Sequence, residues 1–430
     1  MLQVLNSSWA LLLGMMLLQV GNGVQGTLLG IRGALEGFST GQMSLVMSGY
    51  FLGFLGGSLI APQLIRRVGH LRVFAALGSL ISAVLILYPA LADPWVWVAL
   101  RVAIGFCFSG VYVTAESWLN NASTNETRGQ ALSLYMIVQL VGIVAAQGLL
   151  VLGDPSGFIL FVVPSVLVSV AFAPILLSIS PTPAFDTAKR MSFGDLYRAS
   201  PLGFVGMFLL GGAFSALFGM AAVYGTQAGM DVAQISAFVS MIFIGGLALQ
   251  FPIGWISDRV DRRILILAVA GLGGLAAIVP LIASGSFTAR LVAAFLVGGM
   301  TNPLYALLVA HANDYLEPDD MAAASSGLVF INGLGAVAGP LVTGWIMGRF
   351  GAGGFFIYIA VILIGLMAWG GWRTTRRAAP EVEDQGAFVS LSPAVSTGAL
   401  EMAQEVYAEA AEAADFEAAR AEIGQNGKIE

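Results

Sequence analysis

Two stretches of this chain concentrate charge where charge is otherwise rare. The first is Gly254-Trp-Ile-Ser-Asp258-Arg259-Val-Asp261-Arg262-Arg263, set between two long apolar runs. A carboxylate in a tight turn of this kind can accept hydrogen bonds from neighbouring helix N-termini and from guanidinium groups. The second is Pro62-Gln-Leu-Ile-Arg66-Arg67-Val-Gly69-His70-Leu71-Arg72, a degraded copy displaced by 192 positions. It has Pro62 in place of the glycine and Arg66 in place of the aspartate, while Arg67 and Gly69 remain. The chemistry on offer is an ion-pair latch. A stop-transfer cluster that only sets topology is the plainer alternative.

Ionisable groups inside apolar runs are costly and mark function by default. Glu116 is the one carboxylate well within such a run. It reads either as a proton carrier or as a structural partner of Arg66, Arg67 or Arg72. His311, ending a later run, could relay a proton or simply sit at the interface. Arg101 is followed nine residues on by Gly110, and Arg290 by Gly299, a second repeat displaced by 189 positions. Each arginine lies near the predicted outer end of its run, so it can face a cavity or snorkel to the interface. Arg101 and Glu116 are about 22 Å apart along a helix and cannot pair directly.

Uncharged polar residues mark candidate cavity walls: Asn22, Gln25, Tyr112, Gln139, Tyr224, Gln227, Asn302 and Asn332. As a set they suit a neutral or weakly charged organic solute. Taken singly, each reads more simply as interhelical glue, worth about 0.6 kcal/mol.

The elements that must position these groups follow from composition. Of 430 residues, 57% are hydrophobic and 10% charged, with 54 glycines. Soluble domains carry roughly 25% charged residues, so no ordinary aqueous surface can be built. Apolar runs of about 20 residues each match the ~30 Å hydrocarbon layer as helices. A β-barrel would alternate polar and apolar residues, and no such alternation appears. Twelve spans are expected at 9–31, 42–64, 72–92, 95–118, 130–152, 158–178, 202–226, 233–255, 263–284, 287–310, 322–345 and 354–373. The polar stretch 180–200 divides them into six and six, reading as a solvated linker with a short surface helix. The first span reads as retained, without a basic leader or small-residue cleavage site.

Basic residues of short loops fall on one side when both termini are cytoplasmic. That orientation dismisses the sequons at Asn121 and Asn125. From Thr374 onward there are four basic and eleven acidic residues, against fifteen and fourteen before it, so the net charge of −6 belongs to the tail. Residues 374–430 are expected to be disordered or marginally helical and dispensable for transport. A single cysteine, Cys107, excludes an internal disulfide. No phosphate-binding loop, metal cluster or nucleophile–base pair is apparent, so neither a cofactor nor enzymatic activity is expected.

The loop after the eighth span resembles the cytoplasmic signature of the major facilitator superfamily: glycine, three residues, aspartate, arginine, one residue, glycine, then two basic residues. Asp261 replaces the second glycine. Tyr50-Phe51, the Arg66-to-Arg72 loop, Val113-Thr-Ala-Glu116-Ser117 and Arg128-Gly129 resemble the bacterial YcaD-like branch. The resemblance spans about residues 9–375 and implies an all-α membrane protein of twelve helices in two pseudo-symmetric bundles, 1–179 and 201–373. It also implies a monomeric inner-membrane secondary transporter of a small molecule, working by rocker-switch alternating access. Protons or another ion would be the coupling partner; the lipid bilayer is its solvent, and nucleic acid is not an expected partner. Asp258 and its arginine partners would close the cytoplasmic gate. The glycine-proline signature of many antiporters is missing from the fifth span. A membrane sensor signalling through the tail and a lipid translocase remain as other classes.

Overall fold

The computed structural model describes residues 2–177, 191–283, 285–316, 318–376, 388–391, 398–400 and 402–406. Among these, every regular element is helical. The first half contributes α1 (Leu2–Leu35), α2 (Thr40–Val68), α3 (His70–Ala90), α4 (Pro94–Asn121), α5 (Asn125–Val151) and α6 (Ile159–Leu177). A short α7 (Phe193–Ala199) lies in the expected linker, whose residues 178–190 fall outside the described set. The second half contains α8 (Pro201–Ser215), a π-helical turn (Ala216–Met220) and α9 (Ala221–Gln227), which form one rod. It continues through α10 (Val232–Ser257), α11 (Arg262–Ile282), α12 (Phe287–Asn313), α13 (Pro318–Phe350) and α14 (Gly354–Thr374).

Eleven of these rods are long and apolar enough to cross a membrane, and the shorter Ile159–Ile175 makes the twelfth of the expected spans. Large apolar side chains such as Leu275, Trp345 and Val361 point outward, whereas Gln19, Asn22, Arg101 and Glu116 are buried. That inversion of the water-soluble pattern suits a lipid surround.

Local sequence sets the helix ends. Ser39 and Asp231 make capping boxes with Gln42 and Gln234 at the starts of α2 and α10. Asp93 and Ser286 cap α4 and α12. Gly69, at φ +87°, turns the chain from α2 into α3 with no intervening loop. Few side chains other than glycine tolerate that backbone.

The halves repeat one packing frame. A Cβ on Gly53 would stand 1.9 Å from the Val102 carbonyl, and one on Gly105 would stand 2.0 Å from that of Tyr50. Their counterparts are Gly245, 1.9 Å from the Phe295 carbonyl, and Gly298, 2.0 Å from that of Ile242. These glycines stand 192 and 193 positions later, like the caps Asp231 and Ser286 after Ser39 and Asp93. The backbones of α2 and α4, and of α10 and α12, touch where only glycine fits.

This register corrects one expectation. The counterpart of Arg101 is Ala294, and Arg290 stands one helical turn out of alignment. The displacement of 189 is a coincidence of residue types. It is not the structural repeat.

At the end of the bundle opposite the termini, the halves meet directly. Ser48 Oγ donates to the Val337 carbonyl at 2.7 Å, and Gly30 faces Ala222 so closely that a Cβ would sit 2.6 Å from it. Ser44 lies similarly tight against Gly344. The far end is therefore sealed by α2 against α13 and α1 against α9.

Candidate functional site

Between the halves lies a cavity of about 890 Å³. Its first-half wall sets the Phe51 and Phe54 rings beside an amide–phenol network on α1, α2, α4 and α5. Tyr112 donates to Gln19 Oε1 at 2.7 Å, and Gln19 Nε2 donates to Gln139 Oε1 at 2.6 Å. Asn22 Nδ2 approaches the Tyr50 and Tyr112 hydroxyls, each at 3.3 Å. Among the described residues, two buried atoms of this network, Asn22 Oδ1 and Gln139 Nε2, have no partner. One is an acceptor and the other a donor, and such groups are expensive to leave unmade.

The second-half wall is chiefly aromatic. Phe214 and Phe218 stack at 5.9 Å, and Phe218 meets Tyr50 at 5.8 Å and Phe243 at 6.3 Å. Phe218 lies in the π-helical turn, a form often found at functional positions. Asn302, Tyr305 and Asn332 add polar atoms, with Asn332 Nδ2 donating to the Met207 carbonyl at 3.1 Å. Among the described lining residues none is charged.

The structure thus brings together five of the expected wall residues: Asn22, Tyr112, Gln139, Asn302 and Asn332. It places the other three elsewhere. Gln25 is turned toward Arg101, accepting from its Nη1 at 3.0 Å. Tyr224 is packed at 4.9 Å on Phe355, and Gln227 is exposed at the end of α9. Gln19, Tyr50, Tyr305 and the phenylalanines were missed. Aromatic residues in an apolar run carry no sequence signal separating cavity wall from lipid contact.

Arg101 does not snorkel. It is fully buried, with its Cζ 4.7 Å above the Tyr50 ring and Nη2 3.5 Å from the Met47 sulfur. Its Nε has no partner, and among the described residues no carboxylate pairs with it. Arg290 is half-buried near the far end of α12.

With the far end sealed, the charged loop of the second half pairs within its own bundle. Arg262 forms a buried pair with Asp314, at the C-terminal cap of α12, with Nη1–Oδ2 at 2.5 Å. Arg263 pairs with Asp261 at 3.0 Å, and Arg259 stacks 4.1 Å over Trp255 while donating to its carbonyl. These pairs stay within the second half, because Arg262 and Arg263 open α11 and turn toward their own bundle. Among the described residues Asp258 pairs with no arginine; Oδ1 accepts from the Phe388 backbone N–H at 2.8 Å. Gly254 is not in the turn but inside α10, where a Cβ would lie 2.6 Å from the Phe388 ring. In the first-half loop Arg66, Arg67 and Arg72 are exposed around Gly69.

Two carboxylates outside the spans are held below their usual range. Burial pushes the Asp261 carboxyl up, but hydrogen bonds from the Arg263 side chain and backbone outweigh it. On exposed Asp154, the Ser156 hydroxyl and backbone N–H lower the value. His311 is buried against Tyr315 at 5.1 Å, beside a cavity of about 310 Å³ that also touches Arg263 and Arg373.

Glu116 is fully buried. Oε1 accepts from the Tyr135 hydroxyl at 3.2 Å and Oε2 from the Ala399 backbone N–H at 3.0 Å. The second of these contacts corrects the expectation of a loose tail. Leu391, Ala399, Leu400, Met402 and Ala403 are buried against the bundle, although no long apolar run announces them. The remainder of the expected tail helix, from residue 407, lies outside the described residues.

Comparison with known proteins agrees with this architecture. The family model described as Major Facilitator Superfamily matches residues 11–247 and 203–403. An uncharacterized MFS-type transporter of Yersinia enterocolitica is 30% identical over 368 residues, 83% of this chain and 93% of its own. The uncharacterized MFS-type transporter YcaD of Escherichia fergusonii is 27% identical over 359 residues, 82% of this chain and 92% of its own. Among solved structures, the nucleoside transporter NupG aligns with a TM-score of 0.70 at 12% identity, covering 86% of this chain and all of NupG. A bacterial homolog of the human lysosomal transporter Spinster aligns with a TM-score of 0.64 at 14% identity, covering 94% of this chain and 98% of that one. The E. coli fucose:proton symporter FucP aligns at 0.56 and 15%, covering 85% and 98%. With a family model spanning most of its length and two six-helix halves around one cavity, this chain belongs to the major facilitator superfamily of membrane transporters.

Proposed function

We propose that the protein is a secondary active transporter of a small, neutral, partly planar organic solute, working by rocker-switch alternating access. The observation that carries this reading is an uncharged lining that combines amides and phenols with phenyl rings. The amide–phenol network of Gln19, Asn22, Tyr50, Tyr112 and Gln139 offers hydrogen-bonding groups to a solute's polar edge, while Phe51, Phe54, Phe214, Phe218 and Phe243 receive its apolar face. An uncharged lining favours a neutral ligand, since an ion would enter without compensation. The similar folds include a nucleoside transporter and a fucose:proton symporter, which fits an organic solute and a proton as the coupling ion.

Both termini face the cytoplasm in this reading, with Arg66, Arg67, Arg72 and Arg259 on that side. The sealed far end is then the outer gate. Arg101 and Glu116 are the coupling candidates, one beside the cavity wall and one at the inner end of α4. The test is uptake of neutral nucleosides, sugars and heterocycles into proteoliposomes, with and without a pH gradient. A solute should accumulate when the gradient is imposed, and Glu116→Gln should flatten the pH profile. Absence of transport for every neutral class, with transport of an organic anion, would overturn the neutral-solute reading.

A further inference from the structure

At the inner end, part of the chain's own tail fills the gap between the halves. Gln250 Nε2 donates to Ser390 Oγ at 3.0 Å and to the Leu391 carbonyl at 3.2 Å. Leu391 and Ser390 border a cavity of about 280 Å³ between α5 and α10, which also touches Met136, Leu140 and Asn302. Those three residues line the central cavity as well, so Leu391 stands at its floor.

The next described segments bridge four helices. Ala399 donates its backbone N–H to Glu116 on α4, and Glu405 pairs with Arg128 on α5 at 3.1 Å. Gln404 donates to Asn313 on α12 at 3.4 Å and to the Met321 carbonyl on α13 at 2.6 Å. A glycine at position 254 makes room for Phe388. These are side-chain and backbone bonds to both halves, buried by apolar residues on the tail itself. A tethered segment acts at an effective concentration of order millimolar, so modest contacts suffice to hold it.

We infer that the described tail segments, 388–391, 398–400 and 402–406, form an intramolecular plug that closes the inner mouth of the cavity and locks the transporter against turning outward. This rests on the alternating-access reading above. To face outward, the inner ends of α4 and α5 must approach those of α12 and α13. Residues 398–400 and 402–406 occupy that space, with bonds to all four. The plug must leave before the halves can swing, so its removal frees the cycle. Anything that binds the released tail would switch transport on.

The test uses labelling and needs no substrate, so its failure is separable from failure of the transport reading. Cys107 is the one cysteine, and Cys107→Ser gives a silent background. Ser133→Cys reports the inner mouth beside Leu391, and Ser48→Cys reports the outer seal. Membrane-impermeant maleimide is applied to inside-out vesicles for the first and to intact cells for the second. Deletion of residues 377–430 is expected to raise both labelling rates about tenfold as the locked population falls. Gly254→Leu, which puts a side chain where Phe388 packs, should do the same in the full-length chain. A synthetic peptide of residues 388–406 should restore protection of the truncated protein. Unchanged labelling at residue 133 in both variants would overturn the plug. A rise at residue 133 with residue 48 unchanged would overturn the lock.

Discussion

In the first half, α4 presses Gly105 against α2 and carries Arg101 one turn earlier; in the second, α12 presses Gly298 against α10 and carries Ala294 at the matching position. At the cavity both halves present amides, phenols and phenyl rings, but those of the first half are joined in one hydrogen-bonded network, Gln19–Asn22–Tyr50–Tyr112–Gln139. The halves differ in their charged loops, with Arg66, Arg67 and Arg72 exposed in one and Arg262 buried on Asp314 in the other. Backbone contact at a glycine admits no substitute, so the frame is repeated. Side chains facing a cavity or a loop are free of that constraint, and there the halves have diverged into complementary roles.

The loops should show the largest difference in stability. Arg262→Ala leaves the Asp314 carboxylate buried without its partner, which costs roughly 3–5 kcal/mol. Arg66→Ala, on an exposed side chain, should stay within about 0.5 kcal/mol. Thermal unfolding of the purified protein in detergent checks both. Equal losses would mean that the two loops do the same structural work.

Arg101 sharpens the contrast in function. A buried guanidinium without a carboxylate is a liability to folding, so Arg101→Met should leave stability unchanged or raise it by about 1–4 kcal/mol. Transport of the solute identified in proteoliposomes should nevertheless fall about a hundredfold, equivalent to ~2.7 kcal/mol of barrier. Ala294→Arg, the reciprocal change, should destabilise. Full transport by Arg101→Met would remove the arginine from the mechanism.

The two walls separate by a smaller margin. Gln139→Leu removes an amide of the cavity network and, on the proposed reading, should weaken apparent affinity about ten- to hundredfold, as expected when a polar recognition group is lost. Phe218→Leu keeps an apolar surface and should cost about tenfold or less. Concentration dependence of uptake gives both numbers. If the phenylalanine proves the more costly, recognition rests on stacking and not on the amide edge.

Much of the frame was legible from the sequence because lipid imposes a simple rule. A crossing needs a long apolar run, and twelve such runs with a polar break after the sixth define the architecture. The displacement of 192 between loops was also readable, since Gly69 and the loop arginines sit in short, charged punctuation. What failed were the inferences from residue type alone. Arg290 matched Arg101 in kind but not in register, and the packing glycines were needed to show it. Gln25 and Gln227 look identical to Gln139 in sequence, yet only the helix rotation decides which faces the cavity. The tail was the largest miss. Its apolar residues are spaced along an acidic stretch and become a core only against α4, α5, α10 and α12.

The smallest effect concerns Asp261, whose counterpart in the first loop is Gly69. Asp261 caps α11 by accepting from the Arg263 backbone N–H at 2.9 Å and pairs with the Arg263 side chain. Its carboxyl is held below the usual range, burial being outweighed by those bonds. A depressed carboxylate contributes stability above the unfolded value, near 3.9, and loses it as pH falls through the folded one. Asp261→Asn keeps a capping oxygen but removes the charge, so it should cost about 0.3–1 kcal/mol at neutral pH. The difference in unfolding temperature between wild type and variant should shrink as pH drops below about 4. Gly69→Asp cannot transplant the device, because φ +87° strains any side chain and the cap geometry is absent. It should destabilise at every pH; a pH-dependent gain instead would show that the two loops remain interchangeable.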